Sequence, residues 1–274
     1  MTTARTITFG DVAENGPGME HIGAKASFGL SVEELEQAKA NFEKDGYKCY
    51  LLDLASEEYA GFDIKKLPNG NSISIESSKL LVVRKGVRAL ASCEDGVELV
   101  NAEQEPLEPD KKAWMRGEVK NKRARWNLCF ADKAQDADIS KKKGTIVSFS
   151  DLPILSKCRE NLKRYFGSRC EHLNAELNVY YDIEKCGIGF HGDAERNITI
   201  GMRLGIPIPF HYQWFYKSQP VGNRIGINLK EGDIYAMGAK AVGTDWKRSS
   251  ILTLRHAAGA PNYLKINKPN YKVE

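Results

Sequence analysis

The second half of the chain, from Ala175 onward, is a succession of short β-prone runs interrupted by Gly, Pro and Asn. The runs are ELNVYYD, IGFH, ITIGMRLG, FHYQWFY, RIGINL, DIYAMG and ILTLRHA. Many short strands at this spacing are typical of a barrel or a sandwich. This pattern constrains the fold more than any other feature, and it predicts a mainly β region.

Two helices are predicted before this region. In SVEELEQAKANFEKD, Ser31 is the expected N-cap, Glu34 follows at the capping-box position, and apolar residues recur at helical spacing. In DLPILSKCRENLKRYFG, Asp151 is the expected N-cap, Pro153 lies in the first turn, and the helix ends near Gly167. Both helices are therefore expected to pack on other elements.

The chain divides into two predicted parts. Residues 1–110 form an α+β extension of unassigned role, with β-rich segments on either side of a hairpin turn at Asn69-Gly70. The acidic run NAEQEPLEPD, which carries two prolines, marks a soft boundary. Residues 111–274 form the second predicted domain.

Composition excludes some classes of protein. With 42% hydrophobic and 28% charged residues, the chain can bury a full core and is not mainly disordered. No apolar run approaches the roughly 18 residues of a membrane span, and no signal-peptide pattern is present. We expect a soluble, intracellular protein of the cytoplasm or nucleus, with its six scattered cysteines reduced and mostly buried.

A basic stretch, defined here as residues 111–126, stands out although the net charge is only +4. It places seven Lys or Arg residues in fifteen positions, with Trp114 and Trp126 near its ends. Such a mixture suits phosphate neutralisation and base stacking. The alternative is a solvated loop or edge strand whose tryptophans anchor it to the core.

The chemistry-bearing motif is His191-Gly192-Asp193, at the end of a strand-like run. An imidazole and a carboxylate two residues apart face the same way on an extended chain, and a further ligand would complete a facial triad for non-haem iron. The longer pattern is Asn178-x-Tyr180-x6-Gly187-Ile188-x2-His191-x-Asp193-x-Glu195, with LGIPIPFHYQW, EGDIYAMG and LTLR downstream. Over roughly residues 115–260 the sequence resembles the AlkB-like 2-oxoglutarate, Fe(II)-dependent dioxygenases.

The resemblance implies a fold, a pair of cofactors and residue roles. The fold would be a double-stranded β-helix, or jelly-roll, with flanking helices. The cofactors would be Fe(II) and 2-oxoglutarate, and His191 and Asp193 would be catalytic iron ligands. The 2-oxoglutarate would contact four residues: Asn178, Tyr180, Arg255 through its distal carboxylate, and Arg248 as a second cation after a small register shift.

The third iron ligand departs from the family pattern, because residues 234–254 contain no histidine. His256 has suitable donor chemistry, but strict strand alternation directs it away from the face of Arg255 unless a β-bulge intervenes. Alternatively, His256 would be the ligand on a strand that pairs with the run NYLKIN, and Lys265 would then replace Arg255 as the cofactor cation. Asp245 is the second candidate ligand, and a site with two protein ligands, or without iron, also stays open.

The resemblance also implies a function. Family members mostly oxidise N-methyl groups of nucleobases, coupled to decarboxylation of 2-oxoglutarate. We therefore expect a DNA or RNA partner bound through residues 111–126, and no membrane partner. Two further hypotheses are a hydroxylase of a protein or small molecule, and a non-catalytic binding module on the same barrel.

Overall fold

The computed structural model describes residues 3–64 and 78–266 as a mixed α+β fold built mostly of strands. The helices are α1 (Val32–Lys44), α2 (Glu57–Ala60), α3 (Gly86–Ala91), α4 (Gly96–Gln104), α5 (Pro153–Phe166) and α6 (Ala239–Val242). The strands are β1 (Ala4–Gly10), β2 (Val12–Glu14), β3 (His21–Gly23), β4 (Cys49–Asp53), β5 (Lys79–Val83), β6 (Lys112–Met115), β7 (Glu118–Asn121), β8 (Trp126–Ala131), β9 (Ile146–Ser148), β10 (Asn174–Tyr180), β11 (Gly187–His191), β12 (Thr199–Gly205), β13 (Phe210–Tyr216), β14 (Gln219–Ile227), β15 (Ile234–Met237) and β16 (Thr253–Gly259). The seven runs predicted after Ala175 correspond to β10–β16, which confirms the mainly β region.

Two sheets contain most of the strands. The larger sheet has eight strands in the order β4-β5-β15-β12-β1-β10-β8-β9, and the smaller has four in the order β11-β16-β13-β14. Strand β1 pairs antiparallel with β10 on one side and with β12 on the other, so the start of the chain lies in the middle of the larger sheet. Strands from both sides of residue 110 therefore share one sheet.

The larger sheet separates two apolar layers, and its strands alternate accordingly. Ile7 and Phe9 of β1, with Leu177 of β10, face helices α1, α3, α4 and α5 in one core cluster. Tyr180 of β10 and Tyr235 of β15 face the smaller sheet in a second cluster. The fold thus has a helical layer, the large sheet and the small sheet, with the site between the two sheets.

The helix predictions are confirmed except for one cap. Helix α1 begins after Ser31 with the predicted capping box. Helix α5 begins after Leu152, and Asp151 belongs to a short 3-10 turn instead of capping the helix. The carboxylate of Glu103 on α4 accepts hydrogen bonds from the first-turn amides of Ile154 and Leu155, at 2.6 and 2.9 Å. A tertiary contact therefore takes the place of the local cap.

Three further expectations concern a turn, the cysteines and membrane spans. The Asn69-Gly70 hairpin lies outside the described residues. Five of the six cysteines are buried and Cys93 is exposed, and none forms a disulfide within the described ranges. Between residues 3 and 64 and between 78 and 266, no helix has the length and apolar character needed to cross a membrane.

Candidate metal centre

A β-bulge in β11 sets the orientation of the HxD motif. Ile188 pairs with Ala258 of β16, and His191 pairs with His256, so β11 contains one residue more than its partner across this interval. In regular pairing Phe190 would lie opposite His256. The bulge brings the two histidines together, with their ring centroids 4.5 Å apart.

Three side chains converge at this point. The Oδ1 atom of Asp193 lies 3.5 Å from Nε2 of His191 and 3.4 Å from Nε2 of His256. One ligand atom from each residue lies within 4.8 Å of the other two. Nδ1 of His191 lies 2.8 Å from the carbonyl oxygen of Gly189. A neutral imidazole that donates its Nδ1 proton there presents the Nε2 lone pair to the cluster.

The protonation states suit metal binding. Burial, and after it the charge of the neighbouring His256, together lower the pKa of His191 from 6.5 to about 3. Burial alone would raise the pKa of Asp193, but the charge and hydrogen bond of His256, together with the charges of Arg196 and His191, hold the pKa below its ordinary value. His191 is therefore neutral and Asp193 ionised at neutral pH, and these are the forms that bind a divalent metal ion.

Arg196 braces the carboxylate of this cluster. Its side chain is 3% exposed, and its Nε lies 3.8 Å from Oδ2 of Asp193. The Nη2 atom donates to Glu176 at 2.6 Å and to Glu195 at 2.9 Å. Partners behind a ligating carboxylate restrict its orientation.

The cluster opens into a cavity of about 720 Å³ between the sheets, and Asn178 and Tyr180 are among the residues that line it. Oδ1 of Asn178 accepts hydrogen bonds from Nε of Arg125 at 2.6 Å and from Nδ2 of Asn127 at 2.8 Å. Its Nδ2 donates to Glu176 at 3.0 Å. This network fixes the Asn178 amide before any ligand binds. Tyr180 is fully buried, and burial raises its pKa, so its hydroxyl stays protonated at neutral pH.

The predicted cofactor cations lie elsewhere. Arg255 is not among the residues that line the cavity. Its guanidinium lies 4.1 Å from the ring of Phe215 and 5.3 Å from that of Trp246. Strict alternation along β16 places it on the face opposite His256, because the bulge is in β11 and not in β16. Arg248 is exposed and also lies outside the cavity lining.

Asp245 and Lys265 also lie away from the cluster. Asp245 accepts a hydrogen bond from Nζ of Lys240 at 2.6 Å and does not belong to the His191, Asp193 and His256 group. Lys265 is exposed, in the segment that follows β16. The structure therefore brings His256, and not Asp245, to the HxD motif.

Sequence reasoning missed several cavity residues, among them Arg196, Thr6, Thr8 and Arg203. Thr6 and Thr8 alternate with apolar residues in the run TITF of β1, and Arg203 lies between apolar neighbours in β12. The alternation marks a strand with one apolar face. It does not reveal that β1 joins the same sheet as β12, which is what brings these residues together.

No family model matches the sequence. A protein of Acanthamoeba polyphaga mimivirus, described as uncharacterized, is 41% identical over 263 residues, which cover 95% of this chain and 97% of that protein. The chain belongs to the family of that mimivirus protein. The relationship spans both sides of residue 110.

In this family member the basic stretch forms the β6–β7 hairpin and the start of β8. Its aromatic residues are already packed, since Trp126 stacks on Tyr181 at 4.2 Å and Trp114 is half-buried. Lys122 is buried, and its Nζ donates to Asn15 at 2.7 and 2.8 Å. The exposed basic residues of the stretch are Lys111, Lys112, Arg116, Lys120 and Arg123.

Proposed function

We propose that this protein is an Fe(II)- and 2-oxoglutarate-dependent dioxygenase, similar to the AlkB-like enzymes. The observation that carries the proposal is the convergence of His191, Asp193 and His256 at the wall of a cavity. Two imidazoles and one carboxylate are the donor set of the non-haem Fe(II) facial triad, which leaves coordination positions open. The residues present therefore fit the metal.

The arrangement of strands supports a jelly-roll as the finer description of the fold. Successive strands β10, β11, β12 and β13 alternate between the larger and the smaller sheet, as do β14, β15 and β16. In a double-sheet jelly-roll the chain crosses between facing sheets in this way. On this proposal β1 completes the sheet that faces the metal centre, between β12 and β10.

The residues of the chain have distinct tasks in this mechanism. His191, Asp193 and His256 would hold the iron, and Arg196 orients Asp193 through its carboxylate network. Bound iron with 2-oxoglutarate supplies the oxidation of a C–H bond by dioxygen. Asn178 is held in place by its neighbours, and the protonated Tyr180 hydroxyl can donate a hydrogen bond to an oxygen of the 2-oxo acid.

A nucleic-acid substrate is the substrate class that we propose. The β6–β7 hairpin borders the cavity, because the amide of Trp114 lies 3.4 Å from Sδ of Met19, directly after the cavity-lining residues 16–18. Exposed lysines and arginines of this hairpin can neutralise backbone phosphates. The cavity volume of about 720 Å³ is ample for one extruded base.

The cofactor proposal is tested by anaerobic titration of the protein with Fe(II) and 2-oxoglutarate, followed through the visible charge-transfer band of the chelate. We expect a band in the wild type that His256→Ala abolishes and Asp245→Ala retains. Asp245→Ala is the matched control, because Asp245 is a carboxylate of the same region that lies outside the cluster. Absence of a band in the wild type, with folded protein, contradicts the proposal.

The substrate proposal has a separate test. Affinity for a methylated single-stranded oligonucleotide is measured as a function of salt concentration, for the wild type and for the combined variant Lys112→Ser, Arg116→Ser and Lys120→Ser. Removal of each phosphate-binding side chain should lower the salt slope by about one unit. A wild-type affinity that does not depend on salt favours a small-molecule or protein substrate.

A further inference from the structure

A buried cation in the cavity lacks an anionic partner. Arg203 of β12 is 5% exposed and lines the cavity. Its Nη1 donates to the Thr6 hydroxyl at 2.8 Å, while its Nε is buried without a hydrogen-bond partner. Among residues 3–64 and 78–266, no carboxylate forms an ion pair with Arg203. Arg196, the other deeply buried arginine of this cavity, has its carboxylates in Glu176 and Glu195.

Such an arrangement is costly unless a ligand completes it. A buried guanidinium without a counter-ion loses its hydration and gains no Coulomb attraction in return. A neutral hydroxyl satisfies one of its five N–H donors and none of its charge. A carboxylate that enters the cavity would supply a counter-charge and acceptors for the remaining N–H donors, through paired charge-assisted hydrogen bonds.

Arg203 is also close to the metal centre. The centroid of the Phe210 ring lies 5.5 Å from the guanidinium carbon of Arg203 and 6.2 Å from the centroid of the His256 imidazole, so both groups neighbour the same ring. Tyr235 lies 5.2 Å from the Phe210 ring and also lines the cavity. A short ligand could therefore reach the triad with one end and Arg203 with the other, along an aromatic wall.

We infer that Arg203 binds the distal carboxylate of a dicarboxylic 2-oxo acid whose 2-oxo end faces His191, Asp193 and His256. The inference rests on the proposed function, and it identifies Arg203 as the cation that would bind the distal carboxylate of the cofactor. It assigns to β12, in the middle of the larger sheet, the role that sequence reasoning gave to Arg255. Thr6 of β1 positions the guanidinium through the hydroxyl that accepts from Nη1.

The test compares two arginines and two ligands. Anaerobic protein loaded with Fe(II) is titrated calorimetrically with 2-oxoglutarate and with 2-oxopentanoate, which has the same chain length but no distal carboxylate. In the wild type we expect 2-oxoglutarate to bind at least about 100-fold more tightly, since a buried cation left unpaired penalises the monocarboxylate. In Arg203→Gln this preference should fall below about 5-fold, mainly through loss of 2-oxoglutarate affinity.

Arg255→Gln is the matched control and should keep the wild-type preference, because Arg255 packs on Phe215 outside the cavity lining. Fe(II) affinity should be unchanged in both variants, which reports an intact triad. If Arg203→Gln does not fold, Arg203→Lys supplies the test, with an intermediate preference expected because lysine keeps the charge and loses the planar fork.

The possible outcomes distinguish failure of the Arg203 inference from failure of the proposed dioxygenase function. A preference that survives Arg203→Gln, or that disappears in Arg255→Gln, overturns the inference while 2-oxo acid binding still supports the dioxygenase. A wild-type protein that binds Fe(II) but neither 2-oxo acid overturns both. Collapse of the preference in the Arg203 variant alone supports the inference.

Discussion

Glu14 is the carboxylate of the cavity wall whose ionisation should affect folding most visibly. Burial, together with the charges of the nearby carboxylates of Glu195 and Glu176, raises the pKa of Glu14 from 4.5 to about 7. The Glu14 side chain is 14% exposed, so solvent screens its interactions with the neighbouring charges only weakly. The folded state therefore binds a proton at Glu14 that the unfolded chain has already released between these two pH values.

The sign of the resulting pH dependence follows from the raised pKa. The stabilisation from protonated Glu14 is complete below pH 4.5 and is lost as the pH rises through about 7. Glu14→Gln, which keeps an acceptor for the Gly18 amide, should remove this loss. Relative to the wild type, we expect the variant to gain on the order of 2–3 kcal/mol between pH 4.5 and 8. Urea unfolding of the metal-free proteins across this range measures the difference, and a difference independent of pH contradicts the assignment.

The β11 strand shows how much of the site a sequence pattern can fix. The HxD spacing predicted that His191 and Asp193 share a face, and the structure brings them within 3.5 Å. The bulge between Ile188 and His191 is set by pairing with β16, which the local sequence does not encode. The pairing of β11 with β16 determines that His256 is the third residue of the cluster. From the sequence alone there was no geometric reason to prefer His256 over Asp245.

Gly192, which directly follows β11, provides a testable constraint on the position of the strand end. A Cβ atom at Gly192 would lie 1.9 Å from the carbonyl oxygen of Gly243, directly after α6. Gly192→Ala should therefore push the end of β11 away from α6 and separate His191 from Asp193, lowering Fe(II) affinity by at least about 10-fold. Gly189→Ala is the control, because its Cβ would lie 3.7 Å from the nearest atom, the Tyr263 carbonyl oxygen. Anaerobic metal titration of both variants distinguishes them, and equal affinities would contradict the proposed constraint.

At the scale of the whole molecule, local signals identified the elements and tertiary pairing determined their roles. The seven strands after Ala175 and helix α1 were predicted from periodicity and capping, which are local properties. The position of β1 was not, since its partners β10 and β12 lie more than 150 residues away in sequence. Because the sequence pattern assigned residues 1–110 to a separate part, it did not identify Thr6, Thr8 or the surroundings of Arg203 as parts of the cavity. Long-range pairing of this kind leaves no mark in a short window.

The central position of β1 predicts how the chain responds to division at residue 110. Residues 111–274 alone would lack β1, β4 and β5, leaving β10 and β12 without the strand between them and exposing the apolar face of the sheet. We expect this fragment to show no cooperative thermal unfolding, and residues 1–110 to be equally unstable alone. Coexpressed, the two fragments should associate and recover both cooperative unfolding and Fe(II) binding, because β1 can pair again with its neighbours. Circular dichroism and metal titration of each fragment and of the pair measure the unfolding and the Fe(II) binding. If fragment 111–274 folds and binds Fe(II) by itself, β1 is not required for the metal centre.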